Sequence, residues 1–262
     1  QKHMQNLLIP KYDLNATVDL KEFRFDLGKS DYDQTVCLSS RDNIIGTLGS
    51  LVVVTGKPKA RKTTFLHAIL AGLILSESIF YLRGSLPQAK SKVVLIDTEQ
   101  SKYELYHSLR RLALHTGRPL GQVPNFDVFS ARSLDCEQIK NLIETICQTN
   151  PNVGVVAIDG LIDLVNDIND VREAKAAVTF IKRILDIYNV VIIAVLHQNK
   201  GTNFSLGHLG SFASRFAQSE LSIEKNKDGT STLEATFLRS ANSIEPITIY
   251  WDEYNSRYDT LK

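Results

Sequence analysis

The residues best equipped for chemistry stand together in Val54-Thr55-Gly56-Lys57-Pro58-Lys59-Ala60-Arg61-Lys62-Thr63-Thr64. An apolar run enters this stretch and a helical pattern leaves it, so it reads as strand, turn and helix start. Such a turn grips a polyphosphate: backbone amides wrap the β-phosphate, the helix N-terminus favours negative charge, a lysine reaches the β and γ oxygens, and a hydroxyl binds magnesium. Gly56, Lys62 and Thr63 stand at the spacing of that pattern. Arg61 replaces its second glycine, where backbone and phosphate approach closely, so its side chain must crowd a nucleotide or point away. The plainer reading is a solvated basic loop of Lys57, Lys59, Arg61 and Lys62.

Three other apolar runs end in polar side chains. Ile96-Asp97-Thr98-Glu99-Gln100 puts acids where ligands of open α/β sheets gather. There Glu99 either orients and deprotonates a water or belongs to an acid-rich helix start. Ile158-Asp159-Gly160 has the form of a Walker B strand, whose aspartate serves magnesium. Leu196-His197-Gln198-Asn199-Lys200-Gly201 offers side chains to sense a γ-phosphate, or merely caps a sheet. His67, His107 and His115 have no Cys/His/Asp cluster around them and read as packing or surface residues.

The elements that must position these groups are short β-branched runs alternating with helical patterns, the sign of a parallel sheet with crossover helices. Strands are expected over 51–55, 93–97, 126–130, 153–159 and 190–197, all as central strands covered on both faces. Helices are expected over 63–76, 102–116, 136–149 and 171–188; in the third, Ile139, Leu142, Ile143 and Ile146 form one apolar stripe. After Gly201 come a Gly/Ser/Asn-rich loop to Gly210, a short helical piece to Gln218, and strands over 221–225, 232–239 and 247–252. Asn226-Lys227-Asp228-Gly229 is a hairpin turn signal, which makes the last edge antiparallel. Residues 1–47, with candidate strands at 23–27 and 35–38, read as an extension packed on a domain spanning 48–262.

Thirty Lys plus Arg balance twenty-nine Asp plus Glu, so net charge predicts neither nucleic-acid nor membrane binding. Cys37, Cys136 and Cys147 form no C-x-x-C pair, which argues against a disulfide framework or a zinc site and fits a reducing cytoplasm. The apolar runs are too short to span a bilayer.

Together the four strand ends resemble the RecA-like P-loop ATPases, most closely the hexameric replicative helicase branch of the plasmid RepA and DnaB type. Glu99 carries that subgroup, because it follows the strand after the P-loop helix instead of adjoining Asp159. The resemblance covers roughly residues 49–252. It implies an α/β fold with a mainly parallel central sheet flanked by helices and an antiparallel C-terminal edge. It implies ATP and Mg2+ as cofactors: Gly56 to Thr64 around the nucleotide, Lys62 and Thr63 on triphosphate and magnesium, and Asp159 completing the metal site. By the same resemblance Glu99 is the general base and Gln198 or His197 the γ-phosphate sensor. The loop over 199–210 looks like the family's mobile DNA-binding loop, with Lys200 for a phosphate and Phe204 and His208 for bases; a plain surface loop is the alternative. Arg239, or else Arg215, is the candidate for a residue inserted into a neighbour's site, although Ala241 stands where a second basic residue is expected. The implied function is an ATPase acting on single-stranded DNA, helicase-like, in the replication, mobilisation or excision of a bacterial mobile element, in a homo-oligomer such as a hexameric ring. Arg61 and Ala241 keep open a nucleotide-binding regulatory protein of weak or absent turnover.

Overall fold

The computed structural model describes residues 21, 24–28, 34–198, 207–240 and 243–261. The chain divides into two compact units, Gln1–Asp33 and Gln34–Lys262. In the first, the described part of the strand expected over 23–27 is not a strand: residues 24–26 are irregular and Leu27 and Gly28 form a turn, in which the Gly28 amide donates to the Asp26 carboxylate at 2.9 Å. Asp26 engages its own backbone locally, an arrangement that competes with sheet pairing.

The second unit opens with the hairpin β1 (Val36–Ser40) and β2 (Asn43–Thr47), so residues 34–47 pack within it. The P-loop strand β3 (Leu51–Gly56) leads into helix α1 (Lys62–Leu75). Two short strands that leave no periodic signal in the sequence follow, β4 (Ser78–Ile79) and β5 (Leu82–Gly84). They join the hairpin in a four-stranded antiparallel sheet ordered β2-β1-β5-β4. β5 crosses α1 so closely that a Cβ on Gly84 would lie 2.3 Å from Leu73 N.

Then alternate β6 (Lys92–Asp97), α2 (Lys102–Thr116), β7 (Phe126–Ser130), α3 (Cys136–Thr149), β8 (Val153–Asp159), α4 (Val171–Tyr188) and β9 (Val191–His197). The helix starts are written in side chains. Ser101 with Glu104 and Asp135 with Gln138 form reciprocal capping boxes, and Asp170 accepts from the Arg172 and Glu173 amides. The chain ends with α5 (Gly207–Phe216), β10 (Ser219–Lys225), β11 (Ser231–Leu238), β12 (Ile247–Asp252) and β13 (Arg257–Thr260). α5 begins three residues before the expected loop end, and β13 adds a strand to those the sequence predicts.

Among the described residues the main sheet has nine strands in the order β13-β12-β11-β10-β3-β9-β8-β6-β7. From β10 to β7 all neighbours are parallel, and β11, β12 and β13 add the antiparallel edge. The fold is therefore the expected mainly parallel α/β sheet flanked by helices. Successive side chains of β3 divide between its faces: Val52 and Val54 join the core under α1 and α2, while Leu51 and Val53 join the one under α3, α4 and α5. β7 departs from expectation. Among the described residues it is an edge strand pairing β6 alone, with its residues half-buried or exposed and no described strand outside it.

Candidate active site

The carboxyl ends of β3, β6, β8 and β9 are neighbours in the sheet, and the polar residues that follow them converge. In the loop after β3, Lys59 and Arg61 take left-handed backbone angles, φ 65° and 73°, on either side of Ala60. Turns of this alternating kind direct successive amides to one side and make an anion nest at the start of α1. Gly56 admits no larger residue, since a Cβ there would lie 2.6 Å from the Ile223 carbonyl oxygen. Lys57, Pro58 and Lys59 form the outer turn, while Ala60 and Thr64 are buried beneath it.

Arg61 points away from the nest. Its guanidinium donates to the Gly229 carbonyl at 2.5 Å and the Ser231 hydroxyl at 3.1 Å, and stacks 5.0 Å from the Tyr258 ring centroid. The arginine thus adopts the backbone conformation usually left to glycine, and the β10–β11 turn and β13 hold its side chain. Of the two outcomes open to it from sequence, crowding and turning away, the second is realised.

Lys62 is buried, and its ammonium donates to the carbonyls of Gly56 at 3.0 Å and Lys57 at 3.2 Å. It also lies 3.2 Å from His197 Nδ1, while His197 Nε2 lies 3.0 Å from Glu99 Oε1. Because an ammonium only donates, Nδ1 accepts and the ring proton on Nε2 faces the glutamate. Lys62, His197 and Glu99 form one chain across three strand ends. The His197 hydrogen bond chiefly holds the Glu99 carboxyl below its usual range, against burial and helped by Lys62. Burial pulls Lys62 itself down, opposed by Asp159 and Glu99.

Beside this chain the Thr63 hydroxyl donates to Asp159 Oδ2 at 3.1 Å. Burial first, then the nearby Asp97 and Glu99, push Asp159 up to about 7, while Thr63 and Lys62 act against the rise. A hydroxyl and a carboxylate at this spacing are a hard oxygen pair of the kind magnesium takes beside a phosphate. A divalent cation would also relieve the crowding of three carboxylates.

Several residues of these strand ends have supporting roles that the sequence does not show. Asp97 is buried and accepts from the Glu99 and Gln100 amides at 3.2 and 2.7 Å, fixing the turn that aims Glu99; burial raises its carboxyl against those bonds. The Thr98 hydroxyl accepts from the Gly160 amide at 3.0 Å and donates to Asp163 at 2.5 Å, tying the ends of β6 and β8 together. Gly160 is small of necessity, because a Cβ would meet Glu99 Oε1 at 2.5 Å. A polar residue beside each strand-end acid was the available signal, but it says nothing of direction.

Gln198 turns into the sheet. Its carboxamide donates to Thr55 Oγ1 at 3.2 Å and Ser222 Oγ at 3.0 Å, between β3 and β10. Arg239 caps α5, donating to the carbonyls of Ala217, Arg215 and Phe216 at 3.0 to 3.2 Å. His208 lies in the first turn of α5, stacked 6.2 Å from Phe212. Lys200 and Phe204 lie outside the described residues, as does Ala241.

No helix among the described residues is long and apolar enough to cross a membrane. No curated protein matches the chain. A family model described as an AAA domain matches residues 30–203, a span that holds the phosphate loop, Glu99, Asp159 and His197. On that match and the P-loop architecture that frames it, the chain belongs to the AAA domain family and is a nucleotide-binding P-loop ATPase by type.

Proposed function

We propose that the protein is a magnesium-dependent ATPase of the RecA-like, RepA/DnaB-type branch that acts on single-stranded DNA as a helicase-like motor of a bacterial mobile element. The observation that carries the reading is the Lys62–His197–Glu99 chain beside the Thr63–Asp159 pair. It joins phosphate grip, base and metal donors at one sheet edge, and the base comes from β6 instead of adjoining Asp159 on β8.

In this reading the 56–64 loop and Lys62 would hold the triphosphate, and Thr63 and Asp159 would hold magnesium, which would supply positive charge beside the phosphate oxygens. Glu99, kept ionised by His197, orients the attacking water and takes its proton. His197 touches both Glu99 and Lys62, so it is the better placed of the two sensors; Gln198 reports to Thr55 and Ser222 instead. The Arg61 side chain leaves the loop open to phosphate, which favours turnover over a degenerate binding protein. DNA contact is assigned to Lys200, Phe204 and His208, and assembly to a homo-oligomeric ring, with Arg239 or Arg215 facing a neighbour.

Phosphate release from ATP, measured with and without single-stranded DNA, tests the reading. Stimulation by DNA, with sedimentation showing a ring when both ligands are present, is the expected result. Nucleotide binding without turnover in either condition overturns it in favour of a regulatory nucleotide-binding protein.

A further inference from the structure

Away from the strand ends, α2 and the β12–β13 hairpin border a half-open cavity of about 260 Å³. Five of the side chains lining it are basic: His107, Arg110, Arg111 and His115 from α2, and Arg257 from β13. Among the described residues no carboxylate lines it. Asp259 pairs with Arg257 only at 3.8 Å with both side chains well exposed, so water screens that attraction. The Arg111 Nε is buried and has no hydrogen-bond partner among the described residues. The concentration of positive charge is felt by its neighbours. His115 is pushed down to about 4, by burial and then by Arg257, and the α1 residue His67 to about 3, by burial and then by Arg111.

Like charges gathered in a partly dry recess are costly unless an anion joins them. Arginine forks match the geometry of phosphate oxygens and bind them through paired, charge-assisted hydrogen bonds. The other wall of the cavity is aromatic: Trp251 and Tyr258 line it with their rings edge to face at 5.1 Å, and Trp251 remains partly exposed to receive a flat ring.

We propose that this cavity is a second binding site, separate from the 56–64 loop, for a nucleotide unit whose phosphate meets Arg110, Arg111 and Arg257 and whose base packs on Trp251. Free mononucleotide and a nucleotide of a single strand carry the same chemistry. The site also has a mechanical link to the loop, because Tyr258 lies in the cavity wall and its ring stacks on Arg61. Occupancy therefore bears on the residue that stands beside Lys62.

The test uses full-length protein carrying Lys62→Ala, which disables the phosphate loop, and two fluorescent probes followed by anisotropy: labelled AMP, which lacks the β- and γ-phosphates the loop grips, and a labelled oligothymidylate. At least one probe is expected to bind the Lys62→Ala chain. Adding Arg110→Gln and Arg257→Gln, both at exposed positions, is expected to weaken that probe by about tenfold or more, with Lys at the same positions restoring part of the affinity. AMP as the responsive probe identifies a free-nucleotide site, and oligothymidylate a strand site. The proposal is overturned if neither probe responds to the glutamine substitutions in a protein of native circular dichroism. It is equally overturned if the unsubstituted chain binds a single nucleotide and those substitutions weaken that same one, since the cavity then serves the loop's own ligand. Absence of ATP turnover would sink the motor reading without touching this result.

Discussion

At the scale of the residue, the arrangement of Glu99 separates binding from chemistry. Its carboxylate hydrogen-bonds to His197 and acts on Lys62 through space and through that ring, so replacing it with an amide leaves the hydrogen bonds of the 56–64 loop in place. Glu99→Gln is expected to keep ATP affinity in calorimetry and to lower phosphate release by about 10²–10⁴-fold, the usual worth of a positioned base. Lys62→Ala should abolish ATP binding itself, because the lysine is the cation at the loop's centre. Gly160→Ala probes the same carboxylate from behind. Its Cβ would stand 2.5 Å from Glu99 Oε1, so the glutamate must move off His197 and turnover should fall while nucleotide affinity holds. Loss of affinity in step with turnover would place the effect in the loop instead.

At the scale of the element, Arg61 joins the phosphate loop to the C-terminal strands. Its hydrogen bonds to the β10–β11 turn each involve a charged donor, worth about 1.5–3 kcal/mol together with the Tyr258 stack when partly buried. Against this stands about 1 kcal/mol for holding a non-glycine residue at φ 73°. Arg61→Gly removes both terms, and the net expectation is a loss of about 1 kcal/mol in urea unfolding. Faster amide exchange over 226–231 should accompany it, as the turn loses its anchor. A more stable glycine variant would mean that strain outweighs the latch. The contact of β5 with α1 is less forgiving: Gly84→Ala drives a methyl into helix backbone and should cost about 2–3 kcal/mol.

At the scale of the whole molecule, stability should depend on acid through histidines whose burial opposes their protonation. His67 is fully buried and its ring is pushed down to about 3 from an ordinary value of 6.5, by burial and then by Arg111. The unfolded chain takes up that proton below about pH 6.5 and the folded chain does not, so folding loses ground as pH falls. The contribution is complete above about pH 7 and declines by about 1.4 kcal/mol for each pH unit below 6.5 until the folded ring titrates near 3. His115, pushed down to about 4, acts in the same direction. Urea midpoints at pH 7.5 and 5.5 should differ accordingly, and His67→Leu should flatten the difference. An unchanged slope in that variant would assign the pH dependence to other groups.

The sequence by itself determined the alternation of strand and helix, the strands that end at or just before Gly56, Glu99, Asp159 and His197, and hence which residues end up at one edge of the sheet. That much is local: apolar periodicity, capping side chains and a glycine–lysine–threonine spacing act over a few residues and need no partner to be read. Tertiary structure alone decided the rest. β4, β5 and β13 are too short to show a period and exist because neighbouring strands supply their hydrogen bonds. β7 looks like a central strand in its apolar content, yet its place at the edge depends on strand order, which no run of residues encodes by itself. The direction of a side chain was equally out of reach. Arg61 could crowd the loop or leave it, and it leaves because Gly229, Ser231 and Tyr258, some 170 to 200 positions along the chain, offer it acceptors and a ring.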